Sequence, residues 1–167
     1  VTKNTNKTKT EGLDIKRIFK YFKNKKAIIY ALLPFVSCIL CTIIANKFLP
    51  EFNEHLKERI SFATSSELMR TILTMAVLTL GEEIAWRGFF QKQITKKMHY
   101  ILSIFITSLL FALGHYSTGS FVIVSYDLLF VFIDSSLFGL VFKETDNAWC
   151  SWIPHFLADI LGVLLII

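Results

Sequence analysis

The chain has 167 residues, of which 53% are hydrophobic, and its 18 Lys and Arg residues outnumber its 13 Asp and Glu residues. A mean hydropathy of +0.52 excludes an ordinary soluble domain, and the length suffices for one domain rather than two. The three cysteines are odd in number and lie in apolar stretches, which excludes a disulfide scaffold.

Five apolar segments follow one another along the chain. Each is about as long as a helix needs to cross roughly 30 Å of hydrocarbon. They are residues 27–49, 72–90, 100–116, 121–142 and 148–167. The sequence therefore predicts an all-α fold, a polytopic transmembrane helix bundle of about five spanning helices that occupies residues 27–167.

Residues 1–26 form a basic tail, with nine Lys or Arg residues against Glu11 and Asp14. The positive-inside rule therefore predicts that the N-terminus is cytoplasmic. Two interpretations of residues 15–22 stay open, a solvated tail or an amphipathic helix on an anionic leaflet. Basic tails also bind nucleic acid, but nothing else in the chain supports a nucleic-acid partner.

The polar connections alternate between the two sides of the predicted bundle. Residues 50–70 contain four Glu side chains against three Lys or Arg side chains, and this balance of charge suits the outer face. Within them, residues 64–67 read Thr-Ser-Ser-Glu, a capping box that predicts the start of the second spanning helix. The lysines at 92, 96 and 97 return the chain to the cytoplasm, so residues 117–120 are predicted outside and residues 143–147 inside.

Eight ionisable residues fall at membrane depth, where charge is costly. One charged side chain at a helix centre costs about 2.5–3.5 kcal/mol, so this many unpaired charges would exceed the stability of an ordinary domain. We therefore expect them to face the bundle interior and to meet one another, water or a metal ion. They are Glu82, Glu83, Arg87, His115, Asp127, Asp134, His155 and Asp159.

Helical spacing sorts these residues into smaller groups. Glu83 and Arg87 are four residues apart and are predicted to form an ion pair on one helix face. Glu82 points about 100° away from Glu83 and is free for another role. His155 and Asp159 are also four residues apart, so Asp159 is predicted to orient the imidazole or to share its ligand.

Two further relations follow from helix geometry. An antiparallel pair of helices with its turn near Met98 would bring Glu82 and His115 to the same depth. Asp127 and Asp134 are seven residues apart and share one face of the fourth helix. Three roles stay open for these two aspartates: pairing with the buried arginine, wetting a cavity, or binding a second cation.

One carboxylate that activates water, two imidazoles and a further acid are the parts of a hydrolytic site. Two histidines with an acidic ligand can hold a divalent metal ion, zinc being the first choice, whose bound water is acidified. Without a metal ion, a buried glutamate can act as general base while histidines stabilise the oxyanion. The same residues also fit a polar network that only fixes helix packing. Spacing alone leaves catalysis and packing equally open.

Three motifs stand in order on three predicted helices: EEIAWR at residues 82–87, FALGH at 111–115 and HFLAD at 155–159. They resemble the EExxxR, FxxxH and HxxxN/D motifs of the CAAX protease and bacteriocin-processing family (CPBP, or Abi) of intramembrane peptidases. Residues 138–145 resemble the family's connection into the last motif. The resemblance covers about residues 65–167, and it implies that the last four helices form the catalytic core around a polar cavity open to the cytoplasm.

The resemblance implies an intramembrane endopeptidase that cleaves a small peptide or a membrane-protein segment. It assigns the activation of the attacking water to Glu82 and a supporting role to the pair of Glu83 and Arg87. The chain is shorter than the eukaryotic enzymes and resembles bacterial members more closely, which implies a bacterial cell membrane and leaves a prenylated substrate in doubt.

The resemblance also implies that His115, His155 and Asp159 bind the water, a metal ion or the tetrahedral intermediate. Asp159 stands where eukaryotic prenyl-protein proteases tend to have Asn, and its extra negative charge slightly favours metal ligation. Both a metal-dependent and a metal-free glutamate mechanism stay open. The residues that would hold the metal ion are Glu82, His115, His155 and Asp159.

Other functions stay open on the same residues. One is a non-proteolytic scaffold that binds a membrane partner such as a sensor kinase or a transporter. Another is self-immunity against a secreted bacteriocin, and an ion transporter is a weaker alternative. The expected partners are a peptide or membrane-protein substrate and the lipid bilayer, while the sequence indicates neither a particular substrate nor an oligomeric state.

Overall fold

A computed structural model describes residues 12–14, 18, 23–60 and 68–166, and all regular structure in these ranges is helical. The predicted capping box and most of the basic tail lie outside the described residues. The described elements are α1 (Lys25–Phe48), α2 (Phe52–Arg59), α3 (Leu68–Glu82), a π-helical segment (Glu83–Gln91), α4 (Lys92–Thr95), α5 (Tyr100–Gly114), α6 (Phe121–Thr145) and α7 (Ala148–Ile166). The predicted all-α bundle is confirmed.

Polar side chains mark the points where the long helices begin and end. The Asn24 side chain accepts a hydrogen bond from the backbone N–H of Lys26 at 3.0 Å, at the start of α1. Ser120 does the same for Ile123 at 3.4 Å, at the start of α6. Both caps satisfy N–H groups that have no partner within the helix. α6 ends at Thr145, and the left-handed φ of 46° at the following Asp146 turns the chain at once toward α7.

Three of the helices, α1, α6 and α7, are each long and apolar enough to cross a membrane. α5 is apolar but shorter, with 15 residues. The second predicted span is divided at Glu82 into α3 and the π-helical segment. The chain is therefore an integral membrane protein, and the number of five spans stays a prediction.

Apolar side chains cover the outside of the bundle, while small polar side chains lie inside it. Leu32 and Ile43 of α1 are 59% and 57% exposed, whereas Ser103, Ser135 and Ser151 are 0% exposed. This distribution suits a lipid environment, because acyl chains accept apolar side chains and small residues let helices approach closely. α6 lies at the centre of the bundle, since it packs against α1, α5 and α7.

One end of the bundle carries seven of the nine lysines in the described ranges and is called the basic end below. Lys92 Nζ lies 2.8 Å from an Asp146 carboxylate oxygen, and the backbone N–H of Ala148 donates to the Gly12 carbonyl at 2.7 Å. These contacts hold three segments together. The segments are residues 12–14 with 23–26, residues 92–99, and residues 143–147.

The opposite end is called the distal end and is formed by α2 and the loop of residues 115–120. Phe52 of α2 is 2% exposed and packs edge-on against Tyr126 of α6, with ring centroids 4.9 Å apart. The His55 and Ser117 side chains are within hydrogen-bond distance, at 3.2 Å. α2 is therefore fixed to the bundle by one apolar and one polar contact.

Gly139 of α6 lies where the π-helical segment and α5 both approach. A Cβ atom at this position would lie 2.9 Å from Gln91 Oε1 and 3.1 Å from Ile104 Cγ2. We expect Gly139→Ala to lower the free energy of unfolding by about 1–3 kcal/mol, because the added methyl group forces these neighbours apart. Thermal unfolding in detergent measures the change.

The matched control is Gly81→Ala, because nothing lies within 4 Å of a Cβ atom at that position. Alanine is also the better helix former, by about 1 kcal/mol. An equal loss of stability in the two variants would contradict the packing role given to Gly139.

Candidate active site

The helix that carries the first motif changes its geometry at the motif itself. α3 ends at Glu82, and the following nine residues, Glu83–Gln91, are π-helical. π-Helical turns have i→i+5 hydrogen bonds and are frequent at functional sites. The sequence predicted one helix through this region, and its local change of period is a finding of the structure. Glu83 and Arg87 are both 0% exposed, whereas the Glu82 side chain is 33% exposed.

The structure brings together Glu82, His115 and His155 from three different helical regions. Glu82 Oε1 lies 3.9 Å from His115 Nε2, and Glu82 Oε2 lies 3.6 Å from His155 Nε2. The two histidines therefore flank one carboxylate, one on each oxygen. The predicted common depth of Glu82 and His115 holds, and His155 joins them.

The second nitrogen of each imidazole has its own partner. His115 Nδ1 lies 2.8 Å from the Phe111 carbonyl oxygen, which can only accept, so Nδ1–H donates. His155 Nδ1 lies 2.9 Å from Glu83 Oε1. These bonds fix both rings so that Nε2 points toward Glu82.

Asp159 lies beside His155 on the side away from Glu83. Its Oδ2 atom is 3.6 Å from His155 Nε2, and its side chain is 39% exposed. Of the two roles predicted for Asp159, sharing the ligand of His155 fits this position. Orientation of the imidazole falls to Glu83 instead, because Glu83 and not Asp159 binds Nδ1.

The pair of Glu83 and Arg87 is completely buried, as the motif predicted. Arg87 Nη1 lies 3.2 Å from Glu83 Oε1. Arg87 Nη2 donates to the Ser135 hydroxyl at 2.8 Å and to the Ser135 backbone carbonyl at 3.0 Å. Arg87 therefore links the π-helical segment to α6 and balances the charge of the carboxylate that holds His155.

Two phenylalanines form apolar walls around this polar group. The Phe138 ring stacks on His155 with a centroid distance of 4.4 Å and an interplanar angle of 18°. Phe111 lies 4.4 Å from the His115 ring and edge-on to His155 at 6.0 Å. The Arg87 guanidinium also lies 4.8 Å from the Phe111 ring centroid. Each imidazole is thus held by a hydrogen bond and by an aromatic face.

A cavity of about 480 Å³ contains Glu82, His115, His155 and Asp159 in its wall. Its size is that of a ligand pocket. Phe111 and Phe138 line it as well, so the catalytic candidates share one space with apolar side chains. A bound segment would therefore meet the carboxylate of Glu82 in partly apolar surroundings.

Asp127 and Asp134 of α6, whose roles the sequence left open, have different environments. Asp127 forms an ion pair with Arg59, and His55 Nε2 lies 3.5 Å from Asp127 Oδ2. Asp134 lines the cavity, and its Oδ1 atom has no hydrogen-bond partner among the described residues. Of the three roles left open, pairing with Arg87 does not fit Asp127, which pairs with Arg59 of α2. Asp134 fits the wetting of the cavity.

The residues predicted to hold a metal ion fit zinc in their chemistry, and Glu82–His115, Glu82–His155 and His155–Asp159 are 3.9, 3.6 and 3.6 Å apart. Among the residues that the structure describes, no group of three or more His, Cys, Asp or Glu side chains is placed to hold a metal ion. Zinc binds nitrogen and oxygen ligands at about 2.0–2.2 Å. No catalytic step is therefore assigned to a metal ion, and the predicted zinc stays a prediction.

Comparison with protein families supports the motifs read from the sequence. The model of the type II CAAX prenyl endopeptidase Rce1-like family matches residues 64–161. The chain belongs to this family. No curated protein and no solved structure matches the chain significantly.

Membership of the Rce1-like family makes the chain a protease, with a peptide or protein as substrate. The matched region begins just before α3 and ends within α7, so it contains every residue of the three motifs. α1 and α2 precede it entirely. The Rce1-like region therefore holds Glu82 and both histidines, whereas Arg59 and His55 belong to the part that the family match does not cover.

Sequence reasoning missed several residues around the Rce1-like motifs. Ser135 binds Arg87, Phe138 stacks on His155 and Arg59 pairs with Asp127. For Ser135, the signal was a small polar residue next to Asp134 in an apolar helix. Phe138 lies in residues 138–145, where the resemblance gave it no role of its own. Arg59 gave no signal, because one arginine in a mixed-charge connection is ordinary.

Proposed function

We propose that this Rce1-like protein hydrolyses a peptide bond within the membrane, with Glu82 as the general base that activates the attacking water. The observation that carries the proposal is the position of the Glu82 carboxylate between the Nε2 atoms of His115 and His155, at 3.9 Å and 3.6 Å, in the wall of the cavity. A packing network alone does not need a carboxylate and two imidazoles that face a cavity.

Glu82 and His115 together orient the water. Since His115 donates from Nδ1 to the Phe111 carbonyl, a neutral His115 has its acceptor lone pair on Nε2. A water between them donates one hydrogen to Glu82 and the other to His115. Its free lone pair then points away from both, toward a carbonyl carbon in the cavity. Glu82 takes one proton as the oxygen–carbon bond forms.

His155 stabilises the oxyanion that forms when water attacks. With protons on both nitrogens, His155 donates from Nδ1 to Glu83 and from Nε2 to the developing oxyanion. Arg87 balances the charge of Glu83, so the carboxylate stays in place to hold the ring. Glu83 and Arg87 are positioning residues in this scheme. Asp159 lies next to Nε2 and binds the water or the intermediate.

The final step returns the proton. Protonated Glu82 gives its proton to the departing amide nitrogen as the carbon–nitrogen bond breaks, which releases an amine and a carboxylic acid. The substrate is a peptide or a membrane-protein segment that reaches membrane depth. Under the positive-inside rule, the lysines of the basic end support a cytoplasmic position for that end, in agreement with the cytoplasmic N-terminus predicted from the sequence.

A comparative peptide profile of expressing cells tests the proposal. We expect defined fragments in membranes and medium to disappear when wild type is replaced by Glu82→Gln, because glutamine keeps the shape but cannot accept the proton. Glu51→Gln is the control, since Glu51 is exposed and lies outside the cavity. Identical profiles at equal protein levels, with a phenotype on deletion of the whole protein, would replace the protease by a scaffold.

Removal of metal ions separates the two mechanisms that the sequence left open. For the glutamate mechanism we expect cleavage by the purified protein to stay within about twofold after dialysis against a strong chelator, because Glu82 rather than a metal ion activates the water. Elemental analysis of the same sample measures bound zinc. A loss of activity that zinc restores, with about one zinc per chain, would establish the metal-dependent mechanism instead.

A further inference from the structure

The residues that line the cavity stop at one level in α3, α5, α6 and α7. In the described part of the chain, the lining ends at Glu82 in α3 and at Phe138 in α6, and it begins at Phe111 in α5 and at His155 in α7. α3 and α6 run toward the basic end, while α5 and α7 run away from it. The whole cavity therefore lies on the distal side of the site, and Glu82 and His155 form its floor.

A packed polar layer separates this floor from the basic end. Arg87 and Ser151 are 0% exposed, and Gln91 is 3% exposed. The Gln91 side chain donates to the Gly139 carbonyl at 3.0 Å, and the Gln91 carbonyl accepts from the Ser103 hydroxyl at 3.0 Å. Within the residues that the structure describes, the close packing of these buried side chains leaves no path for a peptide from the basic end.

Arg59 and Tyr116 mark the distal side of the cavity. Both line it, and Tyr116 is 67% exposed while the Arg59 side chain is 28% exposed. The cavity has exposed polar groups at its distal side and closely packed side chains at the other side, so it opens toward the distal end. Along the described ranges of the chain, this direction leads from Glu82 toward α2 and the loop of residues 115–120.

The charge distribution assigns a compartment to each end. The basic end and the sequence leading into it hold thirteen of the 18 Lys and Arg residues, and the distal end holds four. Lys and Arg near the ends of spanning helices set the orientation, whereas Asp and Glu contribute little. The basic end is therefore cytoplasmic, and the distal end lies outside. The four distal residues are Lys47, Lys57, Arg59 and Arg70.

We infer that the protein takes its substrate from the outer, non-cytoplasmic side of the membrane. The substrate class is then an exported peptide, or the outer end of a membrane-protein segment. This inference rests on the proposed function of Glu82. It conflicts with the cavity open to the cytoplasm that the sequence resemblance implied, because a cytoplasmic basic end and a distal cavity place the opening outside.

Vesicles of defined orientation test the inference on the wild-type chain. Right-side-out and inside-out vesicles from expressing cells receive a mixed library of internally quenched peptides that are too polar to cross a bilayer. We expect cleavage above the Glu82→Gln background to be at least about tenfold faster in right-side-out vesicles. Faster cleavage in inside-out vesicles would overturn the inference and leave the proposed function intact.

Cysteine labelling determines the orientation without any need for activity. In a background with Cys38, Cys41 and Cys150 replaced by Ser, Thr118→Cys tests the distal end and Lys96→Cys tests the basic end. Both positions are exposed. We expect a membrane-impermeant maleimide to label position 118 in intact cells and position 96 only after permeabilisation. The opposite result would overturn the inference.

Together, the cleavage and labelling experiments distinguish a failure of the inference from a failure of the proposed function. Outside labelling of position 118, with no cleavage in vesicles of either orientation or in detergent, would contradict the proposed function and with it the substrate class. Outside labelling with cleavage only in inside-out vesicles would mean that the cavity has an opening at the basic end. That result would overturn the inference alone.

Discussion

Glu82→Gln is expected to lower kcat for peptide cleavage by about 10²–10⁴-fold, the usual contribution of a positioned general base. Glutamine retains the size of the side chain and its hydrogen-bonding capacity, so KM should change little. Because Glu82 is 33% exposed in the cavity wall and outside the buried ion pair, the variant should unfold at the temperature of the wild type. Steady-state kinetics on a fragment from the peptide profile measure both constants.

A second variant separates catalysis from general damage to the site. His155→Gln should also lower kcat, and the double variant Glu82→Gln/His155→Gln should be hardly slower than the worse single variant. Residues that act as one catalytic unit show such non-additive losses. Losses that multiply in the double variant would mean that Glu82 and His155 act independently. Equal activity of Glu82→Gln and the control Glu51→Gln would remove Glu82 from the mechanism.

The helical bundle was predictable because membrane burial leaves a strong and regular signal. The apolar segments of α1, α6 and α7 appear in the sequence at nearly the bounds that the structure gives. In a bilayer, each spanning backbone must satisfy its own hydrogen bonds, so a long apolar segment has few alternatives to a helix. The division at Glu82 was not predictable from hydropathy, since a π-helical segment has the same composition as an α-helical one.

The members of the site were predictable, but their hydrogen bonds were not. Charged side chains at membrane depth must converge, and this requirement identified Glu82, His115 and His155. Spacing within one helix then suggested Asp159 as the partner of His155. In the structure, His155 Nδ1 is instead within hydrogen-bond distance of Glu83, which lies on another helix. Contacts between helices depend on rotation and packing, on which the sequence pattern of one helix carries no information.

The contact between Arg59 and Asp127 is a second contact between helices that the sequence did not predict. Arg59 stands in a polar connection where a solvated charge is the ordinary expectation, and nothing in the sequence places α2 against the cavity. The apolar contact of Phe52 with Tyr126 does so. Once α2 is fixed there, an ion pair to an otherwise costly buried Asp127 follows from electrostatics.

Arg87→Met is expected to lower the free energy of unfolding by about 3–5 kcal/mol, the cost of leaving a buried charge without its partner. Glu83 and Arg87 are both 0% exposed, so solvent cannot compensate for the lost guanidinium. The variant also loses two hydrogen bonds to Ser135. Chemical unfolding in detergent micelles measures the difference from wild type.

The double variant Glu83→Gln/Arg87→Met should recover most of this loss, because glutamine removes the unpaired charge and can still bind His155. Lys57→Met is the matched control, since Lys57 pairs with Glu54 at 2.8 Å on the surface of α2, and exposed pairs contribute only about 0–1 kcal/mol. Recovery of stability without recovery of cleavage would separate the two roles of the pair. The restored fold would still lack the carboxylate that holds His155 ready for the oxyanion. If Arg87→Met instead costs no more than Lys57→Met, the buried pair is not charged, and Arg87 does not fix the position of Glu83 electrostatically.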